Sequence, residues 1–95
     1  MNDLNYSVTN NEKEKQFEIE LEGEKAYLVY RFYKNDIAFM HTFVPESFAG
    51  KGIASKLAKA AFAYAEKENK LVKVYCPFVA NFLKSHPEYE KQVDK

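Results

Sequence analysis

The sequence of 95 residues has little that would allow covalent or metal cross-linking: one cysteine, three glycines, three prolines and no tryptophan. The single Cys76 excludes an internal disulfide and a thiolate metal site, and we predict no bound metal. No apolar run approaches the ~18 residues of a membrane-spanning helix. Residues 1–15 also lack the basic and apolar regions of a secretory signal. We therefore expect a cytoplasmic protein that does not enter a membrane.

The chain also lacks an excess of charge, because 14 Lys+Arg balance 14 Asp+Glu. Without a basic footprint, nucleic acid is not an expected partner. The charges are nevertheless unevenly distributed: residues 1–50 hold nine acids and five bases, and residues 51–95 hold five acids and nine bases. The positive half begins in a glycine-containing segment, which favours a small phosphorylated ligand over a long polyanion.

The composition is that of a small globular domain. Apolar residues make up 46% of the chain and aromatic residues 16%. A domain of this length buries only about two-thirds of its unfolded surface, so most of its rings are needed for the core. We expect one domain, residues 1–95, and a monomer.

Alternating and β-branched segments predict a sheet of consecutive strands. In residues 16–21, apolar residues alternate with glutamates, as in a half-buried antiparallel strand. Residues 25–33 and 37–44 are rich in aromatic and β-branched residues, and turn residues separate the three segments. The expected arrangement is a meander, preceded by a short edge strand around residues 6–8.

An alanine-rich helix and a further strand follow this meander. Residues 53–70 carry apolar residues on one arc and lysines on the opposite side, which predicts an amphipathic helix. Residues 71–76 predict a strand, which must run parallel to residues 37–44 if that helix is the crossover. Residues 78–85 predict a second helix, and the polar tail is expected to be loose beyond Tyr89. The fold class is α+β, with a mixed antiparallel and parallel sheet and two helices.

The junction between the third strand and the first helix carries the strongest functional signal. It reads Val44-Pro45, four further residues, and then Gly-Lys-Gly-Ile-Ala at residues 50–54. Amide groups at a helix start lack partners and the helix dipole adds positive charge, so such a junction binds anions. The junction contains no Gly-Lys-Ser/Thr, and no third glycine completes a dinucleotide motif, which excludes two common nucleotide sites. The alternative is a tight turn that needs glycine only for its backbone angles.

Together with His41-Thr42-Phe43 before it and Cys76-Pro77-Phe78 after it, this junction resembles the acetyl-CoA signature of the GNAT (GCN5-related N-acetyltransferase) superfamily. More narrowly, the chain is similar to the small single-domain YjdJ-type members over roughly residues 16–88. The resemblance implies acetyl-CoA or coenzyme A as cofactor. It also implies that two central parallel strands splay apart, with the pantetheine arm in the wedge and the pyrophosphate at the helix start.

The resemblance further implies which residues bind the cofactor. Backbone amides at the helix start would hold the pyrophosphate, and two strand residues would pair with pantetheine. These residues are Phe43, Val44, Ala49, Gly50, Lys51, Gly52, Ile53 and Ala54. The superfamily usually has Gln or Arg at the position of Ser47. It often has a tyrosine acid near Asn81 and Phe82, and this chain lacks both features.

Cys76 and His41 are the candidates for catalysis. Cys76 ends the downstream strand, where a thiol could act as an acid or as a transient acetyl carrier; the alternative is a buried structural cysteine. His41 lies on the third strand, and an imidazole can take a proton from an amine near neutral pH. Alternation places His41 on the face of Ile37 and Phe39, which equally allows a hydrogen-bonded core histidine.

The sequence therefore favours an N-acetyltransferase that moves acetyl from acetyl-CoA to an amine, which the sequence does not identify. The alternative is a non-catalytic CoA-binding or sensing module that acts through a protein partner. A chain of this length has little room for an acceptor pocket, which is the reason to keep that alternative. A third possibility is a small interaction domain whose glycines are purely structural.

Overall fold

The computed structural model describes residues 7–48, 50 and 52–94, and within them five strands form one sheet in sequence order. The strands are β1 (Thr9–Asn11), β2 (Gln16–Leu21), β3 (Glu24–Tyr33), β4 (Asp36–Phe43) and β5 (Val72–Val74). The first four pair antiparallel, and β5 pairs parallel to β4. The predicted meander and the predicted parallel crossover are both confirmed.

The edge strand lies later in the chain than predicted. We expected it around residues 6–8, of which Tyr6 lies outside the described residues, whereas β1 begins at Thr9. This strand ends at Asn11, whose side-chain oxygen accepts a hydrogen bond of 3.1 Å from the backbone N–H of Glu14. Asparagine is suited to such turns because its side chain bonds to nearby backbone. The edge strand is therefore Thr9–Asn11, and the turn to β2 follows it.

Two helices follow the meander, α1 (Ile53–Lys67) and α2 (Pro77–Ser85). The predicted first helix, residues 53–70, is too long at its C-terminal end. Asn69 adopts a left-handed backbone with φ 57°, and the N–H of Lys70 returns to the carbonyl of Ala65 at 2.9 Å. This arrangement closes the last turn and stops the helix. Neither helix of the described chain is long and apolar enough to cross a membrane.

Both helices pack on one face of the sheet. Phe62 of α1 is the meeting point: its ring lies 5.2 Å from Phe39 of β4 and 6.1 Å from Phe82 of α2. Residues that share this core include Phe17, Ile19, Leu28, Tyr30, Ile37, Leu57, Ala61 and Val79. The opposite face, here called the open face, carries exposed or half-buried side chains, among them Glu18, Glu20, Tyr27, Val29 and Arg31. No helix of the described chain covers the open face.

The C-terminal tail is packed, and the expectation that it is loose beyond Tyr89 is wrong. Pro87–Gln92 form a 3-10 helix, and the Tyr89 ring lies 5.0 Å from that of Phe62. Val93 then forms a parallel bridge with Val72 of β5. The polar composition of the tail suggested a loose segment, but one aromatic residue and one valine are enough to anchor a short segment on the core.

We expect Tyr89→Ala to lower the free energy of unfolding by about 2 kcal/mol, because the ring packs on Phe62 and Phe82. Glu88→Ala is the matched control, since Glu88 is exposed in the same 3-10 helix. Its effect should stay within about 0.5 kcal/mol. Urea unfolding of both variants measures the difference. Equal midpoints for the two variants would contradict a packed tail.

Candidate functional site

The sheet opens where β4 continues beyond β5. Their ladder ends at the pair Phe39 and Val74, followed by one hydrogen bond of 3.1 Å from the Tyr75 N–H to the Phe39 carbonyl. β4 runs on to Phe43, whereas the segment after β5 turns away from the sheet into α2 at Pro77. In the described chain no strand pairs with this last part of β4 on the β5 side. Its backbone groups there are available to an extended ligand.

A bulge at Met40 determines the direction in which His41 faces. Tyr30 pairs with Phe39, and the adjacent pair joins Val29 to His41, which leaves Met40 as an extra residue in β4. One extra residue reverses the facing of every later side chain. His41 therefore lies on the open face. The expectation that it shares the face of Phe39 and the other core residues is wrong, because simple alternation does not anticipate a bulge.

On the open face, His41 is exposed beside two aromatic rings. Its ring lies 6.2 Å from that of Tyr27, which lies 5.4 Å from that of Phe43. Glu18 is the neighbour of Tyr27 in the next strand. Burial acts to raise the pKa of Glu18, but hydrogen bonds from Gln16 and Asn11 outweigh it, and the pKa lies below its usual value. The Glu18 carboxylate, which pairs with the Lys25 ammonium at 3.5 Å, thus remains charged next to this aromatic group.

Cys76 lies on the core side of the opening. Its side chain is only 3% exposed, and its sulfur lies 3.2 Å from the hydroxyl of Thr42. Thr42 is the ladder partner of the buried Leu28, so it also faces the core. The Thr42–Cys76 contact joins β4 to the start of α2 where the backbone ladder has ended. The thiol is therefore sheltered from solvent and lies on the opposite side of β4 from His41.

Two glycines with left-handed backbone precede α1. Gly50 has φ 78° and Gly52 has φ 70°, a region that other residues rarely adopt. A Cβ atom at either position would meet no atom within 4 Å. No side chain caps the helix at Gly52. Among the described residues, the helix start therefore has no side-chain cap, and the positions of Gly50 and Gly52 face open space.

Of the other residues predicted to bind the cofactor, Ile53 and Ala54 form the first turn of α1. Ile53 is buried and anchors the first turn of α1, and Ala54 is half-buried beside it. The first helical hydrogen bond runs from the Lys56 N–H to the Gly52 carbonyl at 3.1 Å, which leaves the earlier amides of the turn without a helical partner. Ala49 and Lys51 lie outside the described residues.

The loop between β4 and α1 is held by its own contacts. Val44 packs against the core and Phe48 is buried in it, while the Phe48 N–H donates to the Pro45 carbonyl at 2.9 Å. The hydroxyl of Ser47 donates to a carboxylate oxygen of Glu24 at 2.8 Å. Ser47 therefore fastens the loop to the β2–β3 turn instead of reaching toward the helix start.

The opening and Cys76 lie at the end of β4, and α1 begins after the loop that follows this strand. The residues that sequence reasoning missed are Thr42, Tyr27 and Glu18. Thr42 had a usable signal, because a polar residue within the apolar run 37–44 needs a partner. No sequence signal pointed to Tyr27 or Glu18, because their positions beside Phe43 and His41 depend on strand register.

Similar proteins are found for nearly the whole of this chain. A family model described as GCN5-related N-acetyl-transferase matches residues 16–93. Protein NATD1 of Danio rerio is 35% identical over 91 residues, covering 90% of this chain and 83% of that protein. Protein NATD1 of Homo sapiens is 31% identical over 83 residues, covering 84% and 74%. The NMR solution structure of a GCN5-like protein from Staphylococcus aureus matches with a TM-score of 0.74 and 28% identity, covering 95% and 89%.

Deleting Met40 should preserve the fold, because the pairs on either side of the bulge then become direct neighbours in a regular ladder. Deleting Thr42 is the matched control, since it brings Phe43 into register with Leu28 and turns an exposed ring into the core. We expect the first variant to keep the native β-sheet pattern of amide NMR contacts and the second to lose it. The reverse order of stability would contradict the bulge.

Proposed function

The chain belongs to the family of GCN5-related N-acetyltransferases, and from this membership we propose that it binds acetyl-CoA and transfers acetyl to a primary amine. The observation that carries the proposal is the opening of the sheet next to an uncapped helix start. On the β5 side, β4 has no strand partner beyond Phe39, and α1 begins at Ile53 after Gly52, which faces open space and carries no side-chain cap. A linear thioester with a diphosphate fits such a site, because one end needs strand-like pairing and the other needs free amides.

The residues present suit this cofactor. The backbone at Phe43 and Val44 would pair with the pantetheine amides. The amides from Ala49 to Ala54, with Gly50, Gly52 and Ile53 among them, would hold the pyrophosphate, and the Lys51 ammonium would add charge. Glycine at 50 and 52 keeps the space in front of these amides clear, as close approach of a phosphate requires.

Acetyl-CoA, when bound, supplies an acetyl thioester; transfer to an amine forms an N–C bond, breaks the C–S bond and moves one proton from nitrogen to sulfur. We assign His41 to accepting the proton from the amine and Cys76 to donating one to the departing sulfur. The two lie on opposite sides of β4, so each faces a different end of this proton movement. The burial of Cys76 and its contact with Thr42 favour an acid over an acetyl carrier.

The amine would approach across the open face. The other face of β4 is filled by the core, whereas His41 is exposed beside Tyr27 and Phe43. Aromatic rings attract ammonium groups, and the next strand adds the Glu18 carboxylate, which also pairs with the Lys25 ammonium at 3.5 Å. Together these groups favour a cationic acceptor that loses a proton to His41 before it attacks.

A second function has one observation in its favour. Cys76 is buried and its thiol is hydrogen-bonded to Thr42. Neither Asn81 nor Phe82 could protonate the departing sulfur in its place. A module that binds CoA and signals to a protein partner needs no acid, so this arrangement would suit it as well. The two functions differ in whether bound acetyl-CoA is turned over.

Gly52→Ala should weaken CoA binding at least tenfold, because the added methyl group enters the space in front of the amides. Gly23→Ala is the matched control: Gly23 has φ 82°, also faces open space, and lies in the β2–β3 turn. Both changes carry a similar backbone strain of roughly 1–2 kcal/mol, but only the first should alter affinity. Isothermal titration calorimetry with CoA measures this. Equal affinities in both variants would remove the pyrophosphate from the helix start.

His41→Gln should lower the rate of CoA release about 100-fold with primary amines such as lysine and spermidine, because the proton acceptor is lost. Arg31→Gln, on the same open face, should leave the rate unchanged. Cys76→Ala should lower the rate at least tenfold with unchanged affinity. A thiol-detection assay of released CoA follows all three variants.

Intact-mass measurement after incubation with acetyl-CoA separates the mechanisms. We expect no acetyl group on Cys76. A stable acetyl adduct that disappears in Cys76→Ala would make the thiol a carrier. Tight binding of acetyl-CoA without release of CoA for any amine would instead support the signalling function.

A further inference from the structure

One lysine of the chain itself holds its amine on the open face, next to the aromatic rings at the end of β4. The Lys25 ammonium lies 3.5 Å from Oε1 of Glu18. Lys25 is exposed in β3, two residues before Tyr27, and alternation places both on the open face. Glu18 is the ladder partner of Tyr27, whereas the ladder partner of Lys25 is Glu20. The ion pair therefore draws the Lys25 amine along β3 to the level of Tyr27.

That level is also the level of the opening in the sheet. Tyr27 pairs with Glu18 on one side and with Phe43 on the other, so the three residues form one row across β2, β3 and β4. The rings of Tyr27 and Phe43 lie 5.4 Å apart. Beyond Phe43 in this row lies the side of β4 that has no strand partner among the described residues. The Lys25 amine therefore lies in the row that ends at the opening, on the face where His41 is exposed.

The spacing of the strands matches the length of a lysine side chain. Adjacent strands lie about 4.8 Å apart, so a ligand paired with β4 would lie two spacings, about 10 Å, from β3. A lysine spans about 6 Å from Cα to Nζ, and attack on a carbonyl carbon begins from about 3 Å. The path crosses the rings of Tyr27 and Phe43, which attract an ammonium group. Rotation of the Lys25 stem is therefore enough to bring its amine to a thioester beside Phe43.

The ion pair positions Lys25 without locking it. Its side chain is 45% exposed, and an exposed ion pair is a weak interaction. The other carboxylate oxygen of Glu18, Oε2, accepts hydrogen bonds from Gln16 at 2.6 Å and from Asn11 at 3.0 Å. Glu18 therefore keeps two partners when Lys25 leaves Oε1, and departure of the amine strands no buried charge.

We propose that Lys25 is an internal acetyl acceptor, so that the protein acetylates itself at this residue. The inference rests on the proposed function, because bound acetyl-CoA is the acetyl donor. A bond forms between Nζ and the acetyl carbonyl carbon, and the C–S bond breaks. Nitrogen loses one proton to His41, and the departing sulfur gains one from Cys76, as with an external amine. Acetyl-Lys25 is uncharged, so the ion pair with Glu18 is lost.

Peptide mass spectrometry of the full chain after incubation with acetyl-CoA tests this modification. Lys25 should be acetylated at least about tenfold faster than Lys59, which is exposed on α1 and reacts only with acetyl-CoA in solution. His41→Gln should slow the reaction of Lys25 about 100-fold and leave that of Lys59 unchanged. Equal rates at the two lysines would overturn the inference, and so would an unchanged Lys25 rate in His41→Gln.

Lys25→Arg is the matched variant, because arginine keeps the charge facing Glu18 but stays protonated and accepts no acetyl group. It should lose the modification at this position and bind CoA with unchanged affinity. Hydroxylamine cleaves a thioester and spares an amide, so the acetyl group should survive this treatment. Loss of the acetyl group with hydroxylamine would move the modification to Cys76 and overturn the assignment to Lys25.

Dilution and mixing show whether the acceptor is internal. The rate constant should stay the same over a wide range of protein concentration. In a mixture of isotopically labelled His41→Gln with unlabelled Lys25→Arg, the labelled chain should stay unmodified at Lys25. Its acetylation would show transfer between two molecules and would overturn an internal acceptor.

The outcomes also separate this inference from the function on which it rests. If CoA binds and spermidine is acetylated while Lys25 stays unmodified, the inference fails and the proposed function stands. If neither CoA nor acetyl-CoA binds at millimolar concentration, the proposed function fails and this inference fails with it.

Discussion

The parallel pairing of β4 with β5 ends at Phe39 and Val74, and the organisation of the site depends on that early ending. A strand whose backbone is unpaired on one side needs a partner, water or a ligand. Here the side chains of Thr42 and Cys76 make one contact of 3.2 Å across the gap. The same short β5 is followed at once by α2, which begins at Pro77.

Keeping β5 in place requires support from outside the sheet, because three residues form few ladder bonds. The tail supplies it. Asp94 donates its N–H to the Val72 carbonyl at 2.9 Å, and its carboxylate lies 3.0 Å from the Lys73 ammonium. A hydrogen bond between the two carboxyl groups lowers the pKa of Asp94 and raises that of Asp36, and the Lys73 ammonium also lies 3.6 Å from the Asp36 carboxyl group. The polar tail is thus part of the framework that positions the opening.

Local patterns were sufficient to predict the strand order, the parallel crossover and the glycine junction, since each depends on neighbours in sequence. The bulge at Met40 could not be predicted in this way, because a bulge is a property of two paired strands and alternation in one strand gives no sign of it. The facing of His41 was predicted wrongly for that reason. The packing of Tyr89 on Phe62 was missed for a related reason. This contact joins residues 27 positions apart, and a pattern within either segment gives no sign of it.

The bulge changes which residues of β4 face the core on its two sides. Up to Phe39 the odd-numbered residues of β4 face the core, and after Met40 they face outward. The end of β4 therefore presents Thr42 to the core beside Cys76, and His41 to the open face. A regular strand would have put His41 beside the thiol and left Thr42 in solvent. The proposed acid and base would then lie on one side of β4, whereas the bulge places them on opposite sides.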